Sequence, residues 1–88
     1  MRAIRNEFEL GAALRARRVR AGLTQADVAA RAGVSRAFVI DVEKGRRPRA
    51  ELNRVLSIMR ALDAAIELID HHEPTVDDVL ARLLGDGG

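Results

Sequence analysis

The chain has 88 residues, with 15 Lys and Arg against 13 Asp and Glu and a formal net charge of +2. It contains no cysteine, which excludes a disulfide framework and a thiolate zinc site, and no apolar run approaches the ~18 residues of a membrane span. We therefore expect one small cytoplasmic domain that is neither membrane-borne nor exported. Because so short a chain balances hydrophobic burial against chain entropy with little margin, dimerisation is also expected.

The charge is divided unevenly along the chain. Residues 1–60 carry 14 basic and 6 acidic side chains, a net +8, whereas residues 61–88 carry 1 basic and 7 acidic side chains, a net −6. Such asymmetry indicates a polyanionic partner for the first segment and a different contact for the second.

Helical periodicity and capping residues predict the first two helices. The first covers about residues 8–20 and stops at Gly22. The second begins at Thr24, which is followed three residues later by Asp27 in the pattern of a capping box, and it ends at Gly33.

Three further helices follow from the same signals. Ser35 caps a third helix that Gly45 closes, and residues 52–62 carry the apolar stripe of a fourth. Thr75 caps a last, short helix over about 75–84, whose apolar face must dock somewhere because so short a helix is marginal alone.

The segment 64–70 has two interpretations by pattern alone. Ile66 and Ile69 continue the helical stripe of the fourth helix. Alternatively, Ile66 and Leu68 occupy one face of a β-strand, with Ile69 on the other.

The second and third helices together have the pattern of a helix-turn-helix. Ala29 is small where two steeply crossing helices touch, and Gly33 accepts a left-handed backbone at the corner. Four valines supply the small core beneath: Val28, Val34, Val39 and Val42. The third helix is therefore predicted to enter the major groove of DNA.

Base contacts are assigned to the outward positions of that third helix. Arg36 is the best candidate for specificity, because its fork matches guanine N7 and O6. Ala37, and with it Phe38, could touch a thymine methyl group. Asp41 could accept from a cytosine amine, orient Arg36, or only pair with a neighbouring arginine. The predicted base-contacting residues are Ser35, Arg36, Ala37, Ile40 and Asp41.

Phosphate contacts are assigned to residues that flank the third helix, chiefly a basic loop around Pro48. The predicted set is Thr24, Gln25, Lys44, Arg46, Arg47 and Arg49, with Arg15, Arg17 and Arg20 as weaker candidates. Glu43 needs a structural partner, because an acid in the last turn of a DNA-facing helix opposes both the helix dipole and phosphate.

Residues 14–62, with their L-T-Q…A…A-G-V-S…E-x-G signature, resemble the Cro/repressor (XRE) family of helix-turn-helix proteins, and most of all HipB-type antitoxins. The resemblance implies a mostly α, five-helix, lambda-repressor-like domain, then a short β-strand that pairs across a homodimer, and then a short C-terminal helix. The implied strand consists of Ala64, Ala65, Ile66, Glu67, Leu68, Ile69 and Asp70.

The same resemblance assigns several roles. It implies that Gln25 bonds a phosphate and that Arg18 is the partner of Glu43, and relatives often have glycine where Asp63 stands. The chain then divides into a DNA-binding domain over 8–62 with its helix-turn-helix at 24–44, a dimerisation strand over 63–73, and an acidic helix and tail over 74–88.

The expected function is sequence-specific transcriptional repression at a near-palindromic operator in double-stranded DNA. By resemblance, the protein is the antitoxin of a HipBA-like pair that represses its own operon and binds a HipA-like kinase toxin. The alternative is a stand-alone repressor of phage or plasmid type, and a protein-binding scaffold fits the +8 segment less well.

Catalytic, cofactor and metal functions are not expected. None of the hydroxyls in the chain has an adjacent base, which argues against an enzyme. His71 and His72 are neighbours whose imidazoles would point to opposite sides of an extended chain, so the two do not share one metal ion.

Overall fold

A computed structural model describes residues 3–71 and 75–85. Within these ranges the chain forms five α-helices, and each of the predicted helices is confirmed with bounds shifted by a residue or two. They are α1 (Glu7–Arg20), α2 (Gln25–Ala32), α3 (Arg36–Glu43), α4 (Leu52–Ala61) and α5 (Val76–Leu83).

Side-chain caps fix where the helices of the helix-turn-helix begin. The Thr24 hydroxyl accepts from the Asp27 N–H at 3.0 Å, and the Asp27 carboxylate accepts from the Thr24 N–H at 2.9 Å, completing the predicted capping box. Hydrogen bonding to the Asp27 carboxylate, first from the backbone N–H of Thr24 and then from its side chain, holds the pKa of Asp27 below its ordinary value. Ser35 caps α3 by accepting from the Phe38 N–H at 3.0 Å.

The corner between α2 and α3 has the predicted geometry. Gly33 lies in the left-handed region with φ 69°, where glycine has no Cβ to clash. The carbonyl of Ala29 accepts from the N–H groups of both Gly33 and Val34, and the Ala29 side chain is buried. A small residue and a glycine thus let α3 leave α2 at a sharp angle.

The first four helices enclose one hydrophobic core. Its buried members are Leu14, Val28, Ala29, Phe38, Val39, Val42, Ile58, Met59 and Leu62. Phe38 is only 2% exposed, so the prediction that it touches a thymine methyl group is wrong. The inward face of α3 includes this aromatic ring as well as the two predicted valines, because Phe38 precedes Val39 and lies one turn before Val42.

Gly11 lets α1 lie directly on α3. A Cβ at this position would come within 2.3 Å of the Val42 carbonyl oxygen and 2.7 Å of the Glu43 carbonyl oxygen. Glycine is therefore required by backbone approach, although it lowers the intrinsic stability of a helix interior.

The end of α4 is held by a side chain of α1. Asp63 has φ 53° and is the one non-glycine residue with positive φ in the part of the chain that the structure describes. Arg17 donates from Nε to the Leu62 carbonyl at 2.9 Å and from Nη2 to the Asp63 carbonyl at 2.8 Å. Arg17, a weaker phosphate candidate in the sequence, therefore caps the C-terminus of α4 instead.

The turn at Leu62 and Asp63 excludes one of the two interpretations of residues 64–70. Because α4 ends at Ala61, the helical continuation through Ile66 and Ile69 is wrong.

The strand expected over Ala64–Asp70 is not formed either: residues 64–71 have no regular secondary structure, and no strand occurs in residues 3–71 or 75–85. A strand needs a hydrogen-bonded neighbour, and the single chain offers this segment none. Leu68 is 95% exposed.

Helix α5 begins at a second capping box, in which Thr75 and Asp78 exchange hydrogen bonds. Its apolar side chains are all exposed to solvent: Val76, Val79, Leu80, Leu83 and Leu84. The docking predicted for this face is thus not made within the described chain. His72, considered above together with His71 as a metal ligand, lies outside the described residues.

Candidate nucleic-acid interface

An open concavity lies between the second half of α1, the start of α2 and the two ends of α3. It is lined by Arg15, Arg18, Leu23, Thr24, Gln25, Ala26, Arg36 and Lys44. The structure therefore brings together four of the predicted DNA-contacting residues: Thr24, Gln25, Arg36 and Lys44. Arg15, a weaker candidate in the sequence, lines the same surface.

The one buried acid of this region is neutralised by an arginine. Arg18 Nε lies 2.6 Å from Glu43 Oε2 and its Nη2 lies 3.0 Å from Oε1, while Nη1 donates to the Leu23 carbonyl at 3.0 Å. Arg18 and Glu43, predicted to pair, thus form a bidentate bridge from α1 to α3.

The pair is largely shielded from water. The side chains of Arg18 and Glu43 are 12% and 4% exposed, and the pKa of Arg18 is raised, chiefly by the hydrogen bond to Glu43. Because Glu43 is compensated internally, the exposed charges of the concavity are the cations Arg15, Arg36 and Lys44.

The start of α2 presents donors toward the concavity. Gln25 is half-buried, and its Nε2 donates one proton to Glu43 Oε1 at 3.1 Å, which leaves the second amide proton for another acceptor. The Thr24 hydroxyl accepts from the Asp27 N–H, and its one proton, which also lies within reach of the Asp27 carboxylate, can rotate toward another acceptor. Both side chains are oriented by bonds within the protein and can donate to a phosphate oxygen.

The outward face of α3 carries the five predicted base-contacting positions. Arg36 and Ala37 are exposed beside the exposed cap Ser35, whereas Ile40 and Asp41 are half-buried. The first turn of α3 is therefore the part most accessible to base edges, which is where recognition helices read DNA.

Asp41 pairs with the loop that follows α3. Its Oδ2 lies 3.1 Å from Arg47 Nε, and its backbone carbonyl accepts from the Arg46 N–H at 2.8 Å. Of the three roles considered for Asp41, the structure shows pairing with a neighbouring arginine. Arg46, Arg47 and Arg49 all lie exposed in this loop, where the sequence placed the basic patch.

Sequence reasoning missed one cation beside α3. The Arg54 guanidinium carbon lies 4.3 Å from the centroid of the Phe38 ring, and that of Arg47 lies 5.5 Å from the same centroid. No role was predicted for Arg54 from the sequence, because only the apolar stripe of α4 was considered. The available signal was its position in the first turn of a helix, where the dipole disfavours a cation.

Other kinds of site find no support in the described ranges. Residues 3–71 and 75–85 contain no cluster of three or more side chains suited to a metal ion. Over the same ranges, no helix combines the length and apolarity required to cross a membrane.

The site consists of two helices, the second of which exposes its first turn. The acids beside it are paired with arginines, and exposed cations surround it. These features define the class of helix-turn-helix DNA-binding regulators. The family model described as "Helix-turn-helix domain" matches residues 9–72. The chain therefore belongs to this family, and it is a DNA-binding transcriptional regulator of XRE type.

Individual proteins agree with this assignment. The chain is 32% identical over 66 residues to the uncharacterised HTH-type transcriptional regulator y4mF of Sinorhizobium fredii. The aligned residues cover 75% of this chain and 86% of that protein. The chain is 34% identical to the restriction-modification controller protein C.AhdI of Aeromonas hydrophila, with a TM-score of 0.61 over 66% of this chain and 86% of that chain.

The fold is also similar to that of HipB. A HipB variant in complex with an O2 20mer gives a TM-score of 0.75 at 24% identity, covering 82% of this chain and 99% of that one. HipB in complex with an O4 20mer gives 0.74 at 22% identity, covering 82% and 100%. At this identity the likeness concerns the fold.

Proposed function

We propose that this protein is a transcriptional repressor that binds a near-palindromic operator as a homodimer, and that it is the antitoxin of a HipBA-like pair. The observation that carries the DNA-binding part is the concavity in which Thr24, Gln25, Arg36 and Lys44 converge. Its exposed charges are positive because Glu43 is bound by Arg18. This arrangement suits a duplex backbone on either side of a base-reading helix.

In the proposed complex, Arg36 reads guanine from the start of α3. Thr24, Gln25 and Lys44 bind the phosphates on one side of the major groove. The loop that carries Arg46, Arg47 and Arg49 binds those on the other side. Phosphate contacts fix the register of the helix, whereas the bidentate Arg36 contact supplies discrimination of ~1–3 kcal/mol.

The homodimer is proposed from the exposed segment after α4. Ile66, Leu68 and Ile69 are 56%, 95% and 60% exposed, and the backbone of this segment has no strand partner among residues 3–71 and 75–85. A second copy would cover these side chains and supply the missing backbone partner. Two recognition helices would then face one side of the duplex, about 34 Å apart.

The antitoxin role is supported more narrowly. The fold likeness to HipB covers 82% of this chain, and α5 presents an acidic first turn and an exposed apolar face to a partner. A stand-alone regulator is the second candidate, favoured by the 34% identity to the controller protein C.AhdI. The two candidates share the DNA surface and differ in what α5 binds.

Selection of bound genomic fragments tests the repressor proposal. The purified chain should enrich a near-palindrome with half-sites 10–10.5 base pairs apart or a multiple of that spacing. Light scattering of the free protein should give twice the chain mass, and Leu68→Asp should give one chain mass. Ala65→Asp, a change on a small side chain of the same segment, reports the effect of charge alone. A wild-type monomer would refute the proposed dimer.

Gene neighbourhood and co-expression test the antitoxin proposal. A HipA-like reading frame beside this gene should yield a kinase that forms a complex with the protein on size exclusion. Leu80→Asp, on the apolar face of α5, should weaken that complex, and Arg82→Asp on the same helix should weaken it less. An isolated gene, or an adjacent kinase that does not bind, favours the stand-alone regulator.

A further inference from the structure

Two arginines from different segments share the ring of Phe38. Arg54 in the first turn of α4 lies with its guanidinium carbon 4.3 Å from the ring centroid, and Arg47 from the preceding loop lies at 5.5 Å. The ring itself is 2% exposed, so it is a fixed support built into α3. The face of an aromatic ring attracts a cation, because the ring quadrupole is negative there.

The two cations differ in what else they bind. Arg47 is neutralised by Asp41 at 3.1 Å. Arg54 is exposed and forms no salt bridge within the part of the chain that the structure describes, so its charge is uncompensated. Its place in the first turn of α4 also opposes the helix dipole, which makes it a poor choice for stability alone.

The Arg54 guanidinium carbon lies over the Phe38 ring, and the guanidinium makes no hydrogen bond within residues 3–71 and 75–85. A guanidinium presents its N–H donors in the plane of the group, so a cation stacked on a ring keeps those donors available at its edge. Arg47, which contacts the same ring, also pairs with Asp41 of α3, so Arg54 lies beside the recognition helix, next to the loop that follows it. An anion at that edge would satisfy both the charge and the donors.

We propose that Arg54 is an additional phosphate-binding residue of the DNA interface and that Phe38 is its positioning residue. This inference rests on the DNA binding proposed above. The ring holds the guanidinium before DNA arrives, so less side-chain entropy is lost when the phosphate binds. Removal of Arg54 should therefore weaken binding to every DNA sequence to a similar extent, because phosphates carry no sequence information.

The test compares Arg54→Gln with Arg60→Gln by measuring affinity for one duplex over a range of salt concentrations. Both variants lose one charge from α4, but Arg60 lies in its last turn, about 9 Å further along the helix, and bonds Ser57. Arg54→Gln should raise the Kd several-fold and reduce the slope of log affinity against log salt by about 1. Arg60→Gln should change the slope much less.

Phe38→Leu tests the positioning role, with the measurement made well below its reduced melting temperature. The Kd should rise in the wild-type background and rise much less in the Arg54→Gln background, since the ring acts through that guanidinium. A merely structural ring would give equal effects in both backgrounds. Equal behaviour of Arg54→Gln and Arg60→Gln, in a protein whose wild type binds DNA, would overturn the assignment of Arg54. Failure of the wild type to bind would instead overturn the proposed function.

Discussion

Glu43 is an acid placed where a DNA-binding protein would be expected to avoid one. It lies at the end of α3, and its carboxylate is bound by Arg18 from α1 and by Gln25 from α2. One carboxylate therefore connects three helices and also orients a side chain of the DNA surface. The buried charge serves the geometry of the interface, since removing either ion leaves the other without compensation.

Glu43→Ala should lower both stability and DNA affinity. Loss of one partner of a buried pair destabilises by about 3–5 kcal/mol, because the remaining ion stays desolvated. Thermal unfolding should therefore show a melting temperature lower by more than ~10 °C. The double replacement Arg18→Met with Glu43→Leu should cost less than the single one. An unchanged melting temperature for Glu43→Ala would show that the pair of Arg18 and Glu43 does not stabilise the fold.

The Asp27 carboxylate makes the stability of the folded protein depend on pH. Its pKa is lowered by the hydrogen bonds with Thr24, so the folded state binds this proton more weakly than the unfolded state does. The stabilisation is therefore present above the unfolded pKa of about 3.9 and is lost as the pH falls through the folded value.

Asp27→Asn should accordingly lower the melting temperature at pH 7, and the difference from wild type should shrink as the pH is taken toward 3. Asp70→Asn removes an exposed carboxylate that caps no helix, and it serves as the control. A gap for Asp27→Asn that stays constant over this range would show that the capping box is not the source.

Element packing depends on one close approach between helices. Helix propensity alone predicts that Gly11→Ala stabilises α1 by roughly 1 kcal/mol. The structure predicts the opposite sign, because the new Cβ would lie 2.3 Å from the Val42 carbonyl oxygen and the two helices would have to separate. Chemical denaturation should show a clear loss of stability. A gain would contradict the packing of α1 on α3.

The end of α4 contains a residue, Asp63, whose left-handed backbone suits glycine better than aspartate. Asp63→Gly should stabilise the protein by about 0.5–1 kcal/mol, since relief of a left-handed residue (roughly 1–2 kcal/mol) exceeds the added chain entropy of glycine. The melting temperature should rise by a few degrees. Asp63→Ala, which cannot relieve the positive φ, should show no gain. Equal gains from both changes would point to charge rather than backbone conformation.

Local signals predicted the helices, because capping residues such as Thr24 and Ser35 act within a few residues of themselves. They could not predict the partners of Arg17 or the burial of Phe38. Those depend on where α1 and α4 lie relative to α3. The spacing of apolar residues within one helix does not determine the positions of the other helices. Tertiary packing turned one supposed phosphate contact into a helix cap.

Much of the site was nevertheless predictable. A helix-turn-helix fixes the register of α2 against α3, so Thr24, Gln25 and Arg36 had to meet once Gly33 and Ala29 were recognised. The segment at 64–70 could not be predicted in the same way. Its apolar side chains are exposed, and residues 3–71 and 75–85 supply no strand to pair with it, so the intersubunit pairing implied by the resemblance stays a prediction.

At the scale of the whole molecule, the two charged segments occupy different parts of the fold. The net +8 of residues 1–60 belongs to the helices around the DNA surface, and the net −6 begins where α4 ends. Beyond that turn most of the exposed side chains are apolar or acidic, which is unsuited to phosphate. We therefore expect DNA contacts before this turn and protein contacts after it.

The most direct test of that account is the affinity of wild type and Arg36→Ala for the selected operator and for variants with single base-pair changes. The wild type should bind the operator with a steep salt dependence and lose ~1–3 kcal/mol on replacement of one guanine in either half-site. Arg36→Ala should bind all of these duplexes nearly equally, with an unchanged melting temperature. A wild type that binds every duplex alike, or with no salt dependence, would contradict the assignment of this surface to DNA.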